Sequence, residues 1–70
     1  MGETLRTLRV NIGWTQKDLA EAANVSEFVT SQAEKGKKIS VKAAKAIADA
    51  LGAKYGREIK PLDIDGLNVR

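Results

Sequence analysis

The sequence predicts an all-α fold: four short helices, room for a fifth helical turn near residue 57, and a short C-terminal extension. Three observations carry this. Thr15, Ser26 and Ser40 each stand as an N-cap ahead of a run with helical apolar spacing. Gly13, Gly36 and Gly52 stand as stops behind such runs. Residues 15–35, TQKDLAEAANVSEFVTSQAEK, end one helix and begin another within about four residues, the spacing of two helices joined by a tight turn.

Taken in order, the first helix should run over about residues 3–12, where Leu5, Leu8 and Ile12 form one apolar stripe. Gly13 ends it and Trp14 leads into the next cap. The second helix, residues 16–23, opens on Thr15 with Asp18 three residues later. This is the T-x-x-D form of a capping box, which satisfies two otherwise unpaired backbone donors. Leu19 and Ala23 share one face. Asn24 is the best non-glycine choice for a left-handed turn residue, and Val25 can plug back into the core. Ser26 caps the third helix, residues 27–35, and Glu27 complements its positive end. Residues 36–39 form a basic loop. Ser40 caps a fourth helix that should reach about Leu51, with Val41, Ala44, Ile47, Ala48 and Leu51 inward and Gly52 as its stop.

Past Gly52 the pattern weakens. Gly56 and Pro61 discourage one long helix, and a short helical turn can sit around residues 57–59. Leu62, Ile64, Leu67 and Val69 alternate imperfectly with polar residues, a weak strand-like signal that a frayed tail would also give. The chain therefore divides into residues 1–56, the helical domain, and residues 57–70, an extension.

Composition narrows the function. Seventy residues allow one domain, and a chain near this size buries only about 60% of the surface its unfolded form exposes. There is no cysteine and no histidine, which removes disulfides, thiolate zinc sites and most nucleophile–base pairs, and fits a reducing compartment. No segment reads as a signal peptide or membrane span. Asp63 and Asp65 are paired acids, but they read as solvated tail carboxylates. An enzyme is not expected, nor a metal or cofactor.

The net charge is +3, and its distribution says more than its size. Lys35, Lys37, Lys38, Lys42 and Lys45 follow one another with no acid between them, whereas from residue 46 to 70 the charges cancel. The positive field sits just behind the third helix, where it can meet phosphates if that helix enters a DNA groove.

The residues LRVNIGWTQKDLAEAANVS at 8–26, AEKGK at 33–37 and AKAIADALG at 44–52 resemble, in order and spacing, the Cro/CI-type helix-turn-helix family, the lambda-repressor-like (XRE) DNA-binding domains of phage and bacterial regulators. The resemblance implies a compact bundle of four to five helices acting in a bacterial or phage-encoded, cytoplasmic protein. By it, Ala20 matches the position where the two motif helices cross. Gln16 matches a phosphate-binding residue, and Lys37 and Lys38 match the loop that tracks the phosphate backbone; Lys17, beside Gln16, and Lys42 are expected to add phosphate contacts. Arg9 and Glu34 match a partly buried ion pair tying the first helix to the third, which gives Glu34 a structural role.

The outer face of the third helix, Glu27, Phe28, Ser31 and Gln32, should read bases: Gln can bond an adenine edge, Glu can accept from cytosine and Phe can pack on a thymine methyl. There are departures. Thr30 and Ala33 stand where the family pattern has larger aliphatics, so Val29 or Phe28 is expected to turn inward. Asn24 replaces the usual glycine, and Trp14 a common aliphatic.

The function expected is a sequence-specific transcriptional regulator, a repressor, binding double-stranded DNA as a homodimer on a two-fold operator. Leu62, Ile64, Leu67 and Val69 are the expected dimer contacts, because so many apolar residues in a tail need a partner surface. The alternative is a protein-interaction module of the same fold, antitoxin-like, meeting a toxin or anti-repressor and binding DNA secondarily.

Overall fold

In the computed structural model, which describes residues 3–70, the four expected helices form and surround one core. The first, α1, is Leu5–Asn11 and begins later than expected. The Thr4 hydroxyl accepts from the Thr7 amide at 3.2 Å and caps it, so Glu3–Thr4 is free to be a short strand, β1. Gly13 then takes φ 74°, a left-handed turn.

The next helix, α2 (Gln16–Ala23), opens on the full capping box. Asp18 N donates to Thr15 Oγ1 at 3.1 Å, and Thr15 N donates to Asp18 Oδ2 at 2.9 Å. Asn24 adopts φ 57°, ψ 42°, and Val25 N bonds back to the Ala20 carbonyl at 3.0 Å. Ser26 Oγ accepts from Val29 N at 3.1 Å, and α3 (Glu27–Glu34) follows. Ala20, 4% exposed, lies in the core side of this unit, where its small side chain allows the close crossing. After Gly36, at φ 79°, comes β2 (Lys38–Ile39).

The long helix α4 is Val41–Tyr55. Ser40 caps it, accepting from Ala43 N at 3.1 Å. Two expectations are corrected here. Gly52 does not stop the helix; it is buried within it, and the left-handed C-cap is Gly56 at φ 74°. Val41, the first residue of α4, does not face inward but is 61% exposed, while Ala44, Ile47, Ala48 and Leu51 enter the core.

Residues 57–70 are not a frayed tail, and the weak strand-like signal is borne out at Ile64 and Val69. Ile59 is buried, a 3-10 turn forms at Pro61–Asp63 rather than at 57–59, and two short strands follow, β3 (Ile64–Asp65) and β4 (Asn68–Val69). Pro61 fits the first position of that turn, and Asp63 Oδ2 accepts from Lys60 N at 3.0 Å. The chain runs back over the bundle: β3 pairs in parallel with β1, and β4 in parallel with β2. Tyr55 Oη donates to the Leu8 carbonyl at 2.8 Å, tying the end of α4 to α1.

Candidate nucleic-acid interface

The candidate interface is centred on α3. Its inner side carries Thr30, fully buried, and Ala33, 2% exposed, with Val29 half-buried against the core. Of Val29 and Phe28, one of which is expected to turn inward, it is Val29 that does so, with Phe28 left out at 71% exposure. Thr30 is accommodated because its hydroxyl donates to the Ser26 carbonyl at 3.3 Å, so no polar atom is buried unpaired. With the helix anchored this way, Glu27 and Phe28 are exposed and Ser31 and Gln32 half-exposed.

Behind that face lies a polar junction. Arg9 Nε donates to Glu34 Oε2 at 2.5 Å and Arg9 Nη2 to Glu34 Oε1 at 3.2 Å, a forked pair with side chains 13% and 6% exposed. The third nitrogen, Nη1, donates to the Trp14 carbonyl at 2.8 Å. Gln16 Nε2 donates to Glu34 Oε1 at 3.1 Å. One carboxylate thus joins α1, the entry to α2 and α3. Gln16 spends one donor on this junction and keeps its second N–H and its amide oxygen.

Lys17, Lys37, Lys38 and Lys42 are all exposed. Lys37 and Lys38 leave α3 directly, and Lys37 N bonds back to the Gln32 carbonyl at 3.0 Å. Lys45 faces Asp49 at 3.5 Å, an exposed pair of little energetic weight. Sequence reasoning passed over Arg6, which with Lys35 lines a polar depression beside Gln16, Ser31 and Glu34. Its spacing of three from Arg9 on one helix was the available signal.

The expected dimer residues separate. Ile64 is 3% exposed in this chain's own core, and Leu67 and Val69 pack against that core. Ile64 is thus covered within the chain and Leu67 and Val69 partly so, while Leu62, 97% exposed, is bare. No helix among the described residues is long and apolar enough to cross a membrane.

A family model described as a helix-turn-helix domain matches residues 1–62. The chain belongs to the helix-turn-helix domain family. The geometry agrees with a Cro-like member: a cap, a left-handed Asn24, a second cap and a helix whose outer side is bare. Neither a search of curated proteins nor one of solved structures gave a match. Membership points to a DNA-binding regulator in a family that is typically non-enzymatic. The match ends at Leu62, so β3 and β4 of this helix-turn-helix protein lie beyond the matched segment.

Proposed function

We propose that this helix-turn-helix protein is a sequence-specific transcriptional repressor that binds a two-fold DNA operator as a homodimer, with α3 in the major groove. The observation that supports this best is the bare outer side of α3, where Phe28 is 71% exposed beside Glu27, Ser31 and Gln32. A phenyl ring so exposed is available for an apolar contact, and a thymine methyl is a fitting one. In this reading Gln32 and Glu27 read base edges, Ser31 adds a short contact, and Gln16, Lys17, Lys37, Lys38 and Lys42 meet phosphates. Half-sites should then lie about one helical turn, 10–10.5 bp, apart. The dimer contact falls to Leu62, the one member of the tail set left uncovered.

The test is selection of duplexes from a random pool by the whole protein and by a Gln32→Ala variant. A palindrome recovered by the first, with one base position per half-site relaxed in the second, supports the reading. No enrichment at low salt refutes it, and an unchanged motif removes Gln32 from the reading set.

A second reading is favoured by the same exposed Phe28 together with Leu62: an antitoxin-type module whose apolar spots meet a protein partner. Association with a small neighbouring protein, and weak DNA binding without it, would support it instead.

A further inference from the structure

The C-terminal strand carries a cation to the face that α3 presents. β4 runs parallel to β2, with Lys38 opposite Asn68 and Ile39 opposite Val69. Two further bonds fasten it: Arg70 N donates to the Ile39 carbonyl at 3.0 Å, and Asn68 Nδ2 donates to the Gly36 carbonyl at 3.3 Å. The register of the strand is therefore fixed, and Arg70 lines a cleft of about 220 Å³ together with Phe28, Gln32, Lys38 and Ser40. No acidic side chain lines that cleft, and Arg70 forms no ion pair among the described residues. One wall is the outer side of α3; the other is β2 and the start of α4, to which Arg70 is added from a segment that local sequence patterns mark as a tail.

We infer that Arg70 is a DNA-contacting residue, delivered by the β2–β4 pairing to grip a backbone phosphate beside the base-reading face of α3. The inference rests on the DNA-binding reading above and extends it to a part of the chain beyond the family match. A guanidinium can hold a phosphate through two parallel N–H donors, which suits it to fixing the register of α3 on the duplex. Lys38 on the adjacent strand adds a second charge, so a phosphate in the cleft meets two cations from segments far apart in sequence. Such a contact carries no base information; it positions the residues that do.

The test measures affinity against salt concentration on two labelled duplexes of equal length, one carrying the selected site and one scrambled. Arg70→Gln should reduce the slope of log K against log salt by about one unit and weaken both duplexes by a similar factor. Arg70→Lys should keep the slope. Arg57→Gln is the control for net charge, since Arg57 stacks over the Tyr55 ring at 5.4 Å and lines a different depression with Glu3 and Asp63. It should leave the slope at the wild-type value. Lys38→Gln tests the DNA reading itself and should lower the slope. If Lys38→Gln lowers it and Arg70→Gln does not, the role of Arg70 is refuted while the regulator reading stands. Equal losses from Arg57→Gln and Arg70→Gln would also refute it, since net charge alone would then explain the effect. A wild-type protein that ignores both duplexes at low salt overturns the two together.

Discussion

The α2–α3 unit and the segment after Gly56 lean on the same core but are held there by opposite means. The first is fixed locally. Thr15, Asn24 and Ser26 each act within four residues of themselves, and the partners are backbone groups of their own helices. The second has few local bonds, and two glycines open its turns. It is held by Ile59 and Ile64 entering the core, by two parallel strand pairs, and by a close approach to α4 at Gly52. Local bonds leave one side of α3 free for a ligand. Remote contacts cover Ile64, and Leu67 and Val69 in part, leaving Leu62 out.

If the contrast is right, damage to the remote contacts should cost most. Ile64→Ala removes a side chain only 3% exposed and is expected to lower stability by about 2–5 kcal/mol, the usual range for emptying such a site. Denaturant unfolding measures it. A loss under about 1 kcal/mol would mean that residues 57–70 are a dispensable cover and would break the comparison.

On the other side, Glu34→Ala strikes the one long-range polar link of the α2–α3 unit. It leaves Arg9 and Gln16 facing a gap. The expected loss is about 3 kcal/mol, the low end for breaking a buried pair, because the Arg9 side chain keeps 13% exposure. The same unfolding experiment checks it. Its effect should reach DNA affinity too, since the orientation of α3 depends on that junction.

Gly52→Ala sharpens the contrast within a single helix. An added Cβ would lie 2.7 Å from the Arg57 carbonyl oxygen and 3.2 Å from the Ile59 amide nitrogen, both backbone atoms that a rotamer change cannot move. Alanine favours the helix itself, so α4 should survive while residues 57–70 are pushed away, at a net cost of about 1–3 kcal/mol. Amide exchange should speed up at Ile59, Arg70 and along β3 and β4, with α2 and α3 protected as before. Uniform loss of protection across the chain would show that the segment and the bundle unfold as one unit.

What could be read from sequence follows the same divide. The caps, the left-handed Asn24, the helix order and the outer face of α3 rest on chemistry within one turn, and each is present in the fold. The fate of Leu62, Ile64, Leu67 and Val69 rests on which distant backbone the tail meets, and no local pattern carries that. An apolar tail reads as a surface in need of a partner, and the strands and core that Ile64, Leu67 and Val69 meet within this chain lie far away in sequence. Gly52 misled for a related reason: a glycine behind an apolar run reads as a stop, whereas this one makes room for the returning chain. Arg70 could not be placed near Gln32 without knowing that β4 pairs with β2.

The smallest effect is expected where sequence and fold disagree about α3. Thr30 stands where the family pattern has a branched aliphatic, yet it is fully buried and its hydroxyl bonds the Ser26 carbonyl at 3.3 Å. That carbonyl already accepts from Thr30 N at 3.2 Å. Thr30→Val keeps the shape of the side chain and removes a polar atom without leaving the acceptor unpaired. Stability should therefore change by no more than about 1 kcal/mol, with a gain more natural than a loss. DNA affinity and preferred sequence should not move, because Thr30 lies on the side of the helix away from Phe28 and Gln32. A larger loss on unfolding would mean that the hydroxyl holds α3 in place, and a changed DNA motif would mean that the helix rotates when it is removed. Either result would show that the outer face of α3 depends on the Thr30 hydroxyl as well as on its caps and the Arg9–Glu34 junction.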